Sequence, residues 1–160
     1  MTDLLDLTAD LPEVSLAPGD VLIREGDPAG SIWVLVSGSL RVTKNGAEVN
    51  AVTHPGIAIG EMSLLLGRAY TATVTAAEPT VLRHAADGAA FLASDPRVGQ
   101  LIATGLAERL DFVTSYLADL KNQYGDAPGL AMVGDVLRRL EQRRGPRATP
   151  GSAREPDPEY

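Results

Sequence analysis

The strongest constraint on the fold is a series of short β-strand-like segments between residues 14 and 84, separated by turns about every ten residues. Asn45-Gly46 lies between two alternating runs, and this dipeptide favours a two-residue hairpin because both of its positions accept a positive φ. Many short strands with regular turns are typical of an all-β barrel or sandwich. The predicted strands span residues 21–23, 31–36, 40–43, 49–52, 57–59, 70–75 and 80–83.

After residue 86 the apolar residues recur with helical spacing. A short helix is predicted around Phe91, a long helix after Asp95-Pro96, and a last helix over residues 130–143. In the long helix the apolar steps alternate between four and three, which is the narrow seam of a coiled coil rather than the wider stripe of a helix on a sheet. The pattern favours a parallel homodimer over intramolecular packing, through the seam residues Leu106, Leu110, Val113, Leu117, Leu120 and Tyr124.

These elements predict three regions. Residues 1–100 form a β-barrel with short flanking helices, residues 101–143 form the dimerisation helix and a short terminal helix, and residues 144–160 form a disordered tail. The fold class is therefore mainly β with flanking helices.

Composition narrows the classes of function. A formal net charge of −7 argues against nucleic acid as the main partner, because binding a polyanion requires surplus Lys and Arg. The sequence has no cysteine and only two histidines, His54 and His84, which we interpret as isolated surface residues rather than metal ligands. No motif of a known catalytic site occurs. We therefore expect a protein that is not an enzyme, with no catalytic or metal site and no cofactor.

The N-terminus lacks the order of charges and apolar residues of a secretory signal, and no run of about 18 apolar residues occurs. The expectation is a cytoplasmic protein with no membrane contact.

One segment, residues 56–74, carries features of a binding site. Gly60 permits a sharp turn out of a strand, and residues 61–66 then form a short helix whose first amides and positive dipole end favour an anion. Glu61 is suited to accept hydrogen bonds from hydroxyl groups such as those of a ribose. In the alternative interpretation Glu61 only complements the helix dipole.

The chain resembles the cyclic-nucleotide-binding domain family, which includes catabolite-activator type regulators and the regulatory subunits of cyclic-AMP-dependent kinase. The resemblance covers residues 13–124 and implies an eight-stranded jelly-roll (double-stranded β-helix) barrel followed by a long dimerisation helix. The matching landmarks are Pro18-Gly19-Asp20, Gly26-Asp27, Gly38, Gly56, Gly60-Glu61-Met62-Ser63-Leu64 and Ala72-Thr73-Val74.

The resemblance also implies a ligand site. Glu61 would bind the ribose 2′-hydroxyl, and the backbone amides of Met62, Ser63 and Ala72 would face the cyclic phosphate. Thr71 lies where some members place a hydroxyl on the phosphate or purine, and Thr114 lies near the part of the long helix that reaches the base. The candidate ligand-binding set is Gly60, Glu61, Met62, Ser63, Arg68, Tyr70, Thr71, Ala72 and Thr114.

The chain departs from the family pattern at two adjacent positions of the site, since the phosphate-binding arginine falls on Tyr70 and the preceding proline on Ala69. Loss of a charge-assisted contact of about 1.5–3 kcal/mol would weaken a cyclic nucleotide by about one to two orders of magnitude. Arg68 is a candidate replacement for the arginine. Tyr70 is itself either a ligand contact or simply a strand residue with its ring in the core.

Two functional interpretations remain. The first is a regulatory module that senses cAMP or cGMP and relays binding through its dimer helix to an unidentified protein partner. The second is a degenerate dimeric scaffold with no small ligand. The residues after Tyr124 are too few for the winged DNA-binding domain of the family's regulators, so a nucleic-acid partner is not expected.

Overall fold

The structure is a computed structural model that describes residues 2–124 and 131–142. The chain divides into two compact units, and the boundary between residues 107 and 108 falls inside the long helix. In chain order the elements are α1 (Leu4–Leu7), β1 (Glu13–Leu16), β2 (Val21–Ile23), β3 (Ile32–Ser37), β4 (Leu40–Lys44), β5 (Ala47–Val52), β6 (Ala58–Ile59), α2 (Glu61–Leu66), β7 (Thr73–Ala76), β8 (Thr80–Ala85), α3 (Gly88–Ser94), α4 (Pro96–Tyr124) and α5 (Ala131–Gln142).

The strands form two antiparallel four-stranded sheets, ordered β1-β8-β3-β6 and β2-β7-β4-β5. Consecutive strands mostly lie in different sheets, as in a jelly roll. The predicted hairpin joins β4 to β5, where Lys44 lies opposite Ala47 and both turn residues have positive φ, 51° at Asn45 and 79° at Gly46. The predicted jelly-roll fold with a long helix after it is confirmed.

Strand β3 separates two apolar cores. Trp33 and Leu35 pack in the cluster inside the barrel, together with residues of both sheets. Ile32 and Val34 point to the opposite face, because successive side chains of a strand alternate. That second cluster is completed by helical residues, so the helices of the first unit bury the outer face of one sheet. Its helical members include Leu4, Phe91, Val98 and Ile102.

Helix α1 is an element that the sequence analysis missed. Asp3 and Asp6 form a reciprocal capping box, in which the Asp6 amide donates to the Asp3 carboxylate at 2.9 Å and the Asp3 amide donates to the Asp6 carboxylate at 3.0 Å. The helix has only four residues, too few to show helical periodicity, but Leu4 is buried in the second cluster. The two aspartates at this spacing are the signal that could have revealed it.

Helix α4 begins where Asp95-Pro96 predicted it. The Asp95 carboxylate accepts a hydrogen bond from the Arg97 amide at 2.8 Å, and the Arg97 guanidinium pairs with the same carboxylate at 2.7 Å. These hydrogen bonds lower the pKa of Asp95 from 3.8 to about 2. Asp95 therefore caps the helix, while Pro96 occupies the first helical position, where its missing N–H costs nothing.

We expect Asp95→Ala to lower the melting temperature by about 2–4 °C at neutral pH, because the α4 cap and the ion pair are both lost. The native pKa of Asp95 lies below its unfolded value, so its contribution is complete above about pH 5 and is lost as the pH falls towards 2. The melting temperatures of Asp95→Ala and the wild type, measured by circular dichroism, should therefore become more similar as the pH falls from about 5 to 2. Asp95→Asn is the matched control, since its amide still caps the helix. Equal melting temperatures for wild type and Asp95→Ala at pH 7 would contradict the capping role.

The second unit contains the rest of α4 and helix α5. Much of the predicted seam lies here, and its Leu110 and Val113 expose 55% and 47% of their surface. Tyr124 is also exposed, whereas Leu117 and Leu120 are half-buried. Four further large apolar residues on α4 and α5 are exposed, namely Phe112, Tyr116, Met132 and Val136. Leu106 lies in the first unit and packs against the second core cluster. The predicted disordered tail, residues 144–160, lies outside the described residues.

Candidate functional site

Helix α2 is held between two glycines in the left-handed conformation. Gly60 precedes the helix with φ of 90°, and a Cβ at this position would lie 2.8 Å from the backbone oxygen of Ser31. Gly67 ends the helix with φ of 65°, and the next amide, that of Arg68, donates to the carbonyl of Ser63 at 3.0 Å. The short helix predicted over residues 61–66 is therefore present, and its direction is fixed at both ends.

Two side chains at the start of α2 are withdrawn from water. Glu61 is the first helical residue and only 2% exposed, and Ser63 is 4% exposed, whereas Met62 between them is exposed. A carboxylate in the first turn is stabilised by the helix dipole. Its burial strengthens any hydrogen bond that it accepts, because the local dielectric constant is low.

Tyr70 is a core residue rather than an open position of the site. Its ring is 9% exposed and belongs to the cluster inside the barrel, with a centroid 6.3 Å from that of Trp33. Its hydroxyl donates to the backbone oxygen of Ser31 and accepts from the Ser31 amide, each at 3.3 Å. The ring and hydroxyl of Tyr70 are thus both engaged within the protein.

The strand predicted over residues 70–75 begins later than expected, at Thr73. The backbone of Tyr70 instead pairs with the β2–β3 turn, where its amide donates to Asp27 at 2.9 Å and its carbonyl accepts from Gly26 at 2.8 Å. The chain bends at residues 71 and 72 before it enters β7. The assignment of Tyr70 to a strand was therefore wrong, because a tertiary contact with the turn, which no local pattern reveals, determines its conformation.

Two cavities of similar size flank the turn that carries Pro28 and Ala29. The first, of about 410 Å³, is lined by residues that include Trp33 and Tyr70. The second, of about 420 Å³, is lined by residues that include Ser63 and Arg68. The structure thus brings Ser63 and Arg68 to one cavity and Tyr70 to the other. The remaining candidates of the first unit line neither of these two cavities, and they are Gly60, Glu61, Met62, Thr71 and Ala72. Thr114 belongs to the second unit.

A group around Trp33 was not anticipated. The His84 ring stacks on the Trp33 ring with centroids 5.0 Å apart, and its Nε2 lies 3.0 Å from the Ser31 hydroxyl. His84 is half-buried, so its assignment as an isolated surface residue was wrong. The two rings meet because β3 pairs with β8 in a register that places Trp33 opposite His84, and sequence alone does not give this register. His54, in contrast, is exposed.

Two searches of the described residues were negative. Among residues 2–124 and 131–142, no group of three or more His, Asp or Glu side chains is arranged to hold a metal ion. None of the helices in the same ranges is long and apolar enough to cross a membrane.

Comparison with known proteins shows which family and which proteins this chain is similar to. The model of the family described as "Cyclic nucleotide-binding domain" matches residues 13–93. The acetyltransferase Pat of Mycolicibacterium smegmatis is 40% identical over 78 residues, which cover 47% of this chain and 23% of the acetyltransferase. A cyclic nucleotide-gated potassium channel of Mesorhizobium japonicum is 31% identical over 109 residues, which cover 66% of this chain and 30% of the channel. The matched segments thus span less than a third of either relative's length.

This chain is also similar to a solved structure. The N-terminal domain of a transcriptional regulator from Streptomyces coelicolor A3(2) superposes with a TM-score of 0.51 at 31% identity. The superposition covers 68% of this chain and 81% of that domain.

Proposed function

Because this chain belongs to the cyclic nucleotide-binding domain family, we propose that it is a regulatory module whose barrel binds cAMP or cGMP. The observation that carries the proposal is the matched segment itself, which contains all of the barrel and the Gly60-Glu61 turn with its buried carboxylate. A related channel that is gated by cyclic nucleotides supports the same class of ligand. The module acts by binding rather than by catalysis.

In this proposal the ribose and the phosphate of the nucleotide each have a partner on or beside α2. The Glu61 carboxylate accepts a hydrogen bond from the ribose 2′-hydroxyl, and the burial of Glu61 strengthens that bond. The backbone amides of Met62, Ser63 and Ala72 face the cyclic phosphate. Thr71 lies beside them.

The first unit offers a short route from the ligand to α4. A Cβ on Gly88 would lie 2.8 Å from Cδ2 of Leu64, so α2 and the start of α3 are in close contact. Only Asp95 separates α3 from α4. A shift of α2 on ligand binding is thus transmitted to α4, provided that the ligand binds one arrangement more tightly than the other. We propose that α4 reports this change to a protein partner within a homodimer.

A second candidate function is a dimeric scaffold that binds no small ligand. The observation that favours it is Tyr70, whose ring fills the core at the position where the family places its phosphate-binding arginine. The retained Gly60-Glu61 turn favours the first function, because a scaffold has no need of a buried carboxylate at this point.

Calorimetric titration of the full chain with cAMP and with cGMP separates the two functions. We expect heat of binding with at least one nucleotide, and Glu61→Ala should weaken that binding about 10- to 100-fold through loss of a hydrogen bond to a charged group. Glu78→Ala, which removes the same charge from an exposed position, should leave the affinity unchanged. If the wild type shows neither heat nor a thermal shift at millimolar nucleotide, the nucleotide-binding function is refuted and the scaffold is favoured.

A further inference from the structure

The second unit has no core of its own in the residues whose burial is described. These are residues 108–124 and 132–140, and none of them is buried. Large exposed apolar side chains occur on both helices, with Phe112 of α4 exposing 71% of its surface and Met132 of α5 exposing 69%. Most helical stability in proteins comes from the packing of an apolar face. We therefore expect a surface outside the unit to cover these side chains.

Helix α5 lies against α4 on one side of that helix. A Cβ on Gly134 would lie 3.9 Å from Cε of Lys121, and each of these residues lies three positions from the connection between the helices. Six residues, 125–130, form this connection, a length that is typical of antiparallel neighbours in a bundle. Thr114, Leu117 and Ala118, which share a face of α4 with Lys121, are half-buried. The remaining apolar face of α4 is left without a neighbour in the described part of the chain.

The apolar face of each helix is wider than one neighbouring helix covers. With about 100° between successive residues, the apolar side chains of α4 from Leu110 to Tyr124 span about 160°, because Phe112 and Tyr116 lie beside the predicted seam. Those of α5 over residues 132–140 span about 140°. A helix with one partner carries a narrow stripe, whereas a helix of a four-helix bundle contacts two neighbours and carries a wider one. The two helices thus have the pattern of half a bundle.

The distribution of charge favours a second copy of this chain as the other half. The first unit, up to residue 107, carries 12 Asp and Glu against six Lys and Arg, so two copies repel each other there. The described helical residues of the second unit, 108–124 and 131–142, carry five acidic and four basic residues. Two copies therefore meet little repulsion at this unit. The alternating steps of four and three along the predicted seam are also typical of helices that pack along one another.

We propose that the second units of two copies form a four-helix bundle, in which α5 contributes to the interface alongside α4. The proposal rests on the homodimer of the proposed function and extends it, since the predicted contact involves α4 alone. Met132 and Val136, on α5, become buried between the copies. Asp135, on the exposed polar side of α5, remains in water.

The test uses single cysteines in the full chain, which has none of its own. Met132→Cys lies in the proposed interface, and Asp135→Cys is the control on the polar side of the same helix. Where light scattering gives the mass of a dimer, we expect a maleimide to modify Met132→Cys at least about 10-fold more slowly than Asp135→Cys. The two rates should become similar when the protein is diluted to the monomer.

A second pair of variants tests the same surface by mass. Met132→Glu combined with Val136→Glu should raise the dissociation constant of the dimer at least about 100-fold, because the added carboxylates would be buried without partners. The matched control, Ser115→Glu with Asn122→Glu, adds the same charge on the exposed polar side of α4 and should remain dimeric. Calorimetric titration of the wild type with cAMP and cGMP tests the nucleotide site separately.

The outcomes separate the bundle from the proposed function. If the wild type is a dimer but Met132→Cys reacts as fast as Asp135→Cys, or the α5 glutamate variant stays dimeric, the bundle is refuted and the homodimer stands. Protection of Met132→Cys that persists in the monomer also refutes the bundle, because the residue is then covered within its own chain. A monomeric wild type refutes both the bundle and the homodimer, while heat of nucleotide binding would still support the nucleotide site.

Discussion

Gly60→Ala should destabilise the barrel by about 2–5 kcal/mol, a large part of the total stability of an ordinary domain. The first cause is the backbone, since φ at Gly60 is 90°, a left-handed conformation that costs a residue with a Cβ about 1–2 kcal/mol. The second cause is steric. The added Cβ would lie 2.8 Å from the Ser31 oxygen and 3.3 Å from the Trp33 ring. The Ser31 oxygen accepts a hydrogen bond from the Tyr70 hydroxyl, and Trp33 packs in the cluster inside the barrel, so both are held in place.

Gly67→Ala separates these two causes. Gly67 is also left-handed, with φ of 65°, but a Cβ there would meet nothing within 4 Å. Its substitution should therefore cost only the backbone term, about 1 kcal/mol. Urea unfolding monitored by Trp33 fluorescence measures both variants against the wild type. Equal losses for Gly60→Ala and Gly67→Ala would mean that the close contact at Ser31 is relieved by a small shift of α2, and that only the backbone conformation matters.

The local chemistry of the chain predicted the elements of the fold well. Asn45-Gly46 defined its hairpin, and Asp95-Pro96 defined the start of α4, because turn and cap preferences depend on a few neighbouring residues. The two-sided burial of β3 was not foreseen. Ile32 and Val34 face helices that lie far away in the sequence, and only the assembled sheet shows that both faces of this strand are covered.

The site was predicted less completely, because several of its contacts join segments that are distant in the sequence. Gly60 and the short helix after it were predicted because a sharp turn at a glycine and a helix start depend on a few neighbouring residues, whereas the binding role of Glu61 stays a prediction from the resemblance. The position of Tyr70 depended on pairing with residues 26 and 27, and the stacking of His84 on Trp33 depended on strand register. Both are contacts between segments distant in the sequence. The cavity that Ser63 shares with Arg68 likewise arises from the approach of the β2–β3 turn to α2.

The apolar face of α4 in the second unit carries the proposal of a homodimer. Leu110 and Val113 are about half exposed, and Tyr116 and Tyr124 on the same helix are exposed as well. Contiguous apolar surface of this kind is typical of an interface. Burial of a leucine or valine side chain contributes about 1.5–3 kcal/mol, and a symmetric dimer buries each residue twice. These exposed side chains therefore favour the proposed pair of helices.

Leu110→Asp combined with Val113→Asp should convert the dimer into a monomer, with a dissociation constant raised at least about 1,000-fold. Two carboxylates from each protomer would meet at the centre of the seam, where burial of unpaired like charges is costly. Light scattering after size-exclusion chromatography gives the mass directly. Both residues are exposed within their own unit, so the variant should keep its helical signal by circular dichroism. The matched control is Ser115→Asp with Asn122→Asp, on the exposed opposite side of the same helix, which should remain dimeric. A persisting dimer in the seam variant, or a monomeric wild type, would exclude this face as the dimer interface.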